Sequence, residues 1–493
     1  MAYTGGFSSE QVIKLIESQA GEINSIVIND VVSTYLFTLS KRKELWDEYL
    51  GLVPIMQRTF QSTYRINNKL RNNWRRYITT QGVGYFLGTP ISYTVEEGDY
   101  DETQYDLISD EIEKFLKRNS IEDQDAEIAE HASVCGAGYR LLYIDTDGKE
   151  RSIVIKPYEA AVIKNATLDL PEFGIITYLL SYIDYQNNVT LKRRVEFYDK
   201  YNVYYFIQTD AGYNLEEVKP HMFAGTMPLI EFDNNNIQQG DWETQRELID
   251  SYDFLESNIA NEIDENTLAF MIFKGITLNQ EEAEAAMKSR SIFLPDKDTS
   301  VEYLTKELSA DFVENHKKTL EKNILLFSSA VDMSDEKFSG GGQSGESRKW
   351  KLTQLETKTK MKERKFTKSL RYMFMVLCQA WNKKEIPLDY MDVKFQFTRS
   401  LPLELTAAAT ANASLVGTIS DKTRIGLLPF VEDVESELEQ MAIEAQEKNV
   451  IQLDAIQLPI EGAGNASMDN TADNETESEL GSIAKDNVAN QGE

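Results

Sequence analysis

Two long amphipathic helical stretches, residues 240–267 and 309–333, bracket a short insert at 268–308, and this arrangement limits the possible folds more than any other feature. In the first stretch Leu248, Tyr252, Leu255 and Ile259 recur at spacings of 4, 3 and 4, a seam suited to a neighbouring helix. The rest of its surface is acidic (Glu243, Glu247, Asp250, Asp253, Glu256, Glu262, Asp264, Glu265, against Arg246), and Asp241 is the expected N-cap. The second stretch places Val313, His316, Leu320, Phe327 and Val331 on one expected stripe. The insert reads as strand 270–278, helix 280–288 and strands 291–294 and 301–305. A helix pair carrying a small domain at its far end has too little core to stand alone. Identical neighbours in a ring would complete it.

The flanking regions supply a larger body. Residues up to about 80 read as helical, with a capped start at Ser8-Ser9-Glu10 and a helical pattern from Glu44 to Leu70. From about 83 to 235 the pattern is mostly β, with strands at 139–144, 153–155, 175–183, 189–197 and 203–208 and one embedded helix at 102–117. Residues 1–235 therefore form one α+β domain. A third long helix spans 347–383. Its first half is basic and its second half places Phe366, Leu370, Met373, Phe374, Leu377 and Trp381 at helical spacing. A strand at 391–398 follows, then helices over 400–449. The acidic 450–493 tail has almost no large apolar residues beyond about 462 and is expected to be disordered.

Charge excludes some functions. The 493-residue chain has a formal net charge of −30, whereas a free-standing sequence-specific DNA binder is usually basic. Acidity either keeps a large particle soluble or keeps a polyanion moving past the protein. Cys135 and Cys378 and three scattered histidines offer no disulfide framework, metal centre or catalytic dyad, and no cofactor is expected. No apolar run is long enough for a membrane span.

Three constellations bear on chemistry. Gly340, Gly345, Glu346 and Ser347 approach a phosphate-binding loop, Gly-x4-Gly-Lys-Ser/Thr, but Glu346 would repel the phosphates that the lysine should neutralise. A DNA-metabolism enzyme with a degenerate loop of this kind is the alternative reading. The favoured one is a moving glycine-rich loop, because consecutive glycines at 340–342 cost entropy to order. The basic run Arg348, Lys349, Lys351, Lys358, Lys360, Lys362, Arg364, Lys365, Lys368 and Arg371 lies either beside DNA phosphates or against the acidic helix at 241–265. The mixed segment Arg71-Asn72-Asn73-Trp74-Arg75-Arg76-Tyr77 reads as packing rather than nucleic-acid contact.

Four segments in order resemble the portal proteins of tailed phages of Gram-positive hosts, the siphophage branch. They are Tyr85–Tyr93, with its Gly88-Thr89-Pro90, after Asn67–Leu70; Gly136-Ala137-Gly138-Tyr139; Met227–Asn235 followed by Gly240-Asp241-Trp242-Glu243 and Leu248–Asp253; and Phe338–Glu346 followed by Lys349-Trp350-Lys351-Leu352 and Phe366–Leu370. They cover about residues 60–400. The resemblance implies an α+β portal fold and no catalytic activity. Its wing would be 1–235 with the 384–399 strand, its stem helices 240–267 and 309–333, and its clip 268–308. A tunnel loop at 334–346, a long helix at 347–383 under the wing and a crown at 400–449 would complete it. The DNA-channel residues would be Phe338, Ser339, Gly340, Gly341, Gly342, Gln343, Ser344, Gly345, Arg348, Lys349 and Lys351. The implied partners are further copies of the chain (a dodecamer), double-stranded DNA without sequence specificity, the terminase large subunit, a head–tail adaptor, and major capsid and scaffolding proteins. The implied location is the portal vertex of the virion, reached from the host cytoplasm during assembly.

Overall fold

The structure is a computed structural model. It describes residues 7–60, 66–96, 100–166, 170–183, 189–267, 270–274, 279, 281–282, 291–294, 300–304, 310–332, 352–400, 410, 412–426, 428, 431, 434 and 436–444. The chain divides into residues 1–402 and residues 403–493.

The first unit opens with α1 (Ser9–Ser18), capped by Ser8, whose backbone N–H donates to Gln11 Oε1 at 2.8 Å. Asn24 caps α2 (Ser25–Tyr49), accepting from the N–H groups of Ile26 and Val27. One face of α2 packs Val27, Ile28 and Val31 onto an antiparallel five-stranded sheet, β4 to β8 in sequential order: β4 (Ala160–Lys164), β5 (Pro171–Ile183), β6 (Val189–Tyr198), β7 (Asn202–Thr209) and β8 (Gly212–Pro220). The other face of that sheet shares a core with a three-stranded sheet in which β2 (Ala137–Ile144) is flanked by β3 (Glu150–Ile155) and β9 (Leu229–Asp233).

The largest core is organised by α8 (Thr353–Trp381). Phe366, Leu370, Met373, Phe374, Leu377 and Trp381 are all buried, as their spacing predicts. They meet α3 (Trp74–Leu87), α4 (Glu102–Asn119), α5 (Ile121–Cys135) and a two-stranded sheet of β1 (Ser92–Val95) and β13 (Val393–Gln396). The 391–398 strand expected from sequence is β13.

Two expectations for this body need correction. Helix α5 breaks the expected β run of 83–235. Its acidic first turn suits the positive end of a helix, and Ala, Glu and Gln favour helix along it. It ends at Gly136, at φ +84°, where an added Cβ would lie 2.0 Å from the Gln238 carbonyl oxygen. A Cβ at Gly138 would lie 2.6 Å from the Ile128 carbonyl, so the Gly136-Ala137-Gly138 motif is a steric requirement of the α5–β2 junction. The helical pattern from Glu44 to Leu70 also fails. Helix α2 stops at Tyr49, Gly51 takes φ +96°, Pro54 opens a single 3-10 turn, and no helix forms over 66–70.

Beyond β9 the chain enters α6 (Arg246–Thr267), then β10 (Phe270–Lys274), β11 (Ser291–Leu294) and β12 (Ser300–Leu304), and returns along α7 (Ala310–Ser328). β10 is central in this small sheet, parallel to β11 and antiparallel to β12. The helix–insert–helix order read from sequence is therefore present. Most of the expected 280–288 helix lies outside the described residues, as does the expected disordered tail.

In the second unit, α9 (Asp421–Gly426) buries Ile425, and Arg424 pairs with Asp421 and Asn412.

Candidate functional site at the root of a helical hairpin

Helices α6 and α7 form an antiparallel hairpin, and their pairing is readable residue by residue. Gln245 Nε2 donates to the Phe327 carbonyl at 3.2 Å, the Tyr252 hydroxyl donates to Glu321 at 2.8 Å, and Lys317 meets Glu256 at 2.9 Å. Ile249 and Tyr252 bury against Leu320 and Ile324, with Leu248 and Leu255 half-buried beside them. The seam of α6 is close to the expected one. That of α7 is not. Its buried line runs through Leu320, Ile324 and Ser328, while His316 and Phe327 are exposed. Helical geometry explains the slip, since Phe327 lies about 100° round the helix from Ser328.

Most of the acidic surface of α6 at the root is occupied within the chain. Residues 68–72 lie along the helix so that alternate backbone N–H groups meet side chains one helical turn apart. Asn68 donates to Asn261 Oδ1 at 2.7 Å, Leu70 to Ser257 Oγ at 2.9 Å and Asn72 to Asp253 Oδ1 at 2.8 Å. The match is geometric: two extended residues advance ~6.6 Å and four helical residues ~6 Å. Asp253, buried and acting as an acceptor here, has its pKa raised chiefly by burial, against the lowering effect of the Asn72 hydrogen bonds. Arg75 is fully enclosed. It bonds Glu48 at 3.1 Å and Asp250 at 2.6 Å and lies 5.3 Å from the centre of the buried Trp242 ring. Trp74 stands edge-on to Tyr252 at 5.7 Å. The 71–77 segment is thus packing, as expected.

Asp241 does not cap α6. That helix begins at Arg246 after a 3-10 turn at Glu243–Gln245, and Glu243 accepts from the Gly240 N–H instead. The Asp241 carboxylate is buried and faces away from the helix, taking hydrogen bonds from Ser133 Oγ at 2.5 Å, Asn234 Nδ2 at 3.0 Å and Lys362, and an ion pair from Lys358 at 3.1 Å. Burial opposes its charge, but the attraction of Lys358 and Lys362 and these hydrogen bonds outweigh it and hold the carboxyl far below its usual range. Lys358 also donates to the Ser328 carbonyl at 2.8 Å, at the last residue of α7. One lysine of α8 therefore ties the exit of the hairpin to its entrance.

This geometry sorts part of the basic run. Lys358 and Lys362 both bind the Asp241 carboxylate, the expected pairing with the acidic stretch at 241–265. Lys360 pairs with Glu356 at 3.5 Å, and Arg364 remains exposed. The expected channel residues Phe338, Ser339, Gly340, Gly341, Gly342, Gln343, Ser344, Gly345, Arg348, Lys349 and Lys351 lie outside the described residues.

The two anchors of that segment are described. Gln81 Oε1 accepts from the Val331 N–H and Gln81 Nε2 donates to the Val331 carbonyl, both at 2.7 Å, while the Tyr77 hydroxyl donates to the same carbonyl at 2.6 Å. Leu352 and Leu355 pack on Tyr85, with Val331 against them, and the Tyr85 hydroxyl donates to Glu356 at 2.8 Å. Tyr77, Gln81 and Tyr85, one turn apart on α3, thus hold both ends of the 333–351 segment. The sequence places Lys358 in a basic run that pairs with the acidic stretch, but does not disclose its bond to the Ser328 carbonyl, and gives no role to Gln81, whose only signal is the four-residue spacing from Tyr77 to Tyr85.

The sequence profile of the phage portal proteins, SPP1 Gp6-like, matches residues 36–450. The chain belongs to this family. It is 24% identical over 401 residues to the portal protein of Bacillus phage SPP1, covering 76% of this chain and 75% of that one. It is 20% identical over 415 residues to the portal protein of Clostridium phage phiCD119, covering 80% and 88%. The match is wider than the four motifs, reaching into α2 and into residues 403–450. Portal function follows from this membership: the family comprises structural phage proteins that form an oligomeric ring at a capsid vertex. Among the described residues no helix is long and apolar enough to cross a membrane, and no cluster of metal-ligating side chains occurs.

Proposed function

We propose that this chain forms a closed ring, dodecameric in the virion, that passes double-stranded DNA inward during packaging and outward at ejection. Helices α6 and α7 act as the stem of that ring. The 268–308 insert is its clip, which receives the terminase large subunit during packaging and a head–tail adaptor afterwards. Residues 1–235 with the 384–399 strand serve as the wing that meets major capsid and scaffolding proteins in the host cytoplasm during assembly. The 347–383 helix lies under it and 400–449 is the crown. The 334–346 segment is the tunnel loop, touching DNA without reading its sequence. The observation that carries this reading is the shared root. Lys358 ties both ends of the hairpin, and the turn-spaced side chains of α3 hold both ends of the loop segment. A loop anchored so tightly can move without disturbing the body that bears it.

Deleting Gly340–Gly342 tests the assignment. The ring, viewed by negative-stain microscopy, should persist while DNA packaging or retention falls. Loss of the ring would make the loop structural, and unchanged packaging would remove its role in the channel.

A further inference from the structure

The hairpin and the segments laid on it present two groups of exposed apolar side chains. On α7, Phe312, His316, Thr319, Asn323, Leu326 and Phe327 follow one another at spacings of 4, 3, 4 and 3, with the last two side by side. The strip contains no Asp, Glu, Lys or Arg, although α7 carries charged residues elsewhere on its surface. At its inner end Leu326 and Phe327 are 47% and 59% exposed. The second surface is built by the segments laid on α6. Leu50 and Leu52 are about as exposed as Phe327, with Met56 and Leu70 beside them. Lys69 bonds the Met56 carbonyl at 2.9 Å and Arg71 the Gly51 carbonyl at 2.9 Å, so the segments that carry these four side chains are tied together.

The two surfaces face apart. On α6, Tyr252 points to α7 and Ser257 to the Leu70 segment. Five positions separate them, roughly 140° at about 100° per residue. On α7 the strip is rotated roughly 100° from the line that faces α6. Because the helices are antiparallel, these rotations carry the two patches to opposite sides of the hairpin. Each copy then has two different apolar surfaces, the requirement for a head-to-tail contact that closes into a ring. Two copies each carrying −30 can meet closely only where acidic side chains are excluded or matched. Charge supplies part of the match as well. Exposed Lys322 borders the α7 strip, and beside Leu52 a cleft of about 430 Å³ is lined by Glu44, Asp47 and Glu48, three carboxylates that share the cations Lys43 and Arg246 within the chain. Both lie level with the first two turns of α6, since Glu321 meets Tyr252 and Glu48 meets Arg246.

We infer that the Leu326–Phe327 strip of one copy packs on the Leu50–Leu52–Met56–Leu70 patch of the next, with Lys322 entering the neighbour's acidic cleft. This rests on the ring reading above and specifies which surfaces close it. The test uses two full-length variants, Leu326→Glu with Phe327→Glu, and Leu50→Glu with Leu52→Glu. All four positions are exposed, so each variant should keep the wild-type circular dichroism and melting point. Native mass spectrometry should show each variant alone as a monomer, with the concentration for half-assembly raised at least roughly tenfold. An equimolar mixture should give a complex of two subunits and no larger, because only one intact junction can form. Should either variant fail to fold, the single changes Phe327→Ser and Leu52→Ser are read the same way. Wild type forming rings while the variants also form rings, or a mixture that stays monomeric, overturns this interface. A wild type that is itself monomeric overturns the ring reading instead.

Discussion

The root of the hairpin and its outer half are built from the same two helices and differ in almost everything else. At the root, Asp241, Arg75, Glu48 and Lys362 are buried charges with named partners, and Ile249, Leu320 and Ile324 close a core between the helices. Among the described residues of α7 before Leu320, none is buried. In the outer part of α6 Asn261 is buried, whereas Asn258, Ile263 and Asp264 are exposed. A buried ionic root resists bending because any displacement leaves a charge uncompensated in a poor solvent. An outer half without a core gains order from what packs on it: on α6 Arg58 and Asn68 of the same chain bond Asn258, Asn261 and Asp264, whereas the first turns of α7 bury no side chain. The difference separates what one chain fixes alone from what it leaves to its neighbours.

Substitutions on either side of that contrast differ in their expected cost. The largest effect is expected from Asp241→Ala, which strands Lys362 in the interior beside Lys358. A loss of about 3–5 kcal/mol in chemical denaturation is expected, with Asp241→Asn recovering part of it. A loss below 1 kcal/mol would mean that the root is not held by this cluster. Asp253→Ala comes next. It removes the acceptor for the Asn72 N–H and should cost about 1–3 kcal/mol, offset in part by relief of a carboxylate that burial disfavours.

A pH effect of intermediate size is expected from His131. It is buried edge-on to Trp46, with Glu127 at 3.8 Å, and burial foremost, with Lys156 second, lowers its pKa to about 4. The unfolded chain therefore binds a proton there below its ordinary value near 6.5, while the folded chain does so only below about 4. Stability from this group should fall as pH drops from 6.5 towards 4, by on the order of 1–3 kcal/mol. His131→Gln should flatten that part of the melting curve against pH. The smallest effect is expected in the outer half. Lys317→Ala breaks a partly exposed pair with Glu256 and should change monomer stability by less than about 1 kcal/mol.

The same contrast marks what the sequence discloses. The apolar lines of α6 and α8 are legible because a buried helix face repeats with the helical period, and Phe366 to Trp381 follow it. The strand pattern of β5 to β7 is legible for the same reason with a period of two. The root is not. Asp241 stands where an N-cap belongs, and nothing local shows that its carboxylate faces Lys358 and Lys362, more than a hundred residues away. The 68–72 clamp depends on an extended segment matching a helix spacing across the fold, and Asn67-Asn68-Lys69-Leu70 read alone fits a helix equally well. The expected α7 stripe shares Leu320 with the buried line and departs from it at His316 and Phe327, because an exposed Phe327 looks like a core residue when no neighbouring subunit is considered. Of the candidate channel, the order of segments and the family were readable, and its anchors on α3 were not.

Hydrogen exchange of the hairpin, in the assembled wild type and in the monomeric Leu326→Glu, Phe327→Glu variant, separates what one chain orders from what its neighbours order. Protection at the root, around Ile249–Asp253 and Leu320–Ile324, is expected to be equal in both. Amides at 310–318 are expected to be protected in the assembly and to exchange quickly in the monomer. Equal protection of the outer half of α7 in both states would contradict that division, because the hairpin would then be complete in a single chain.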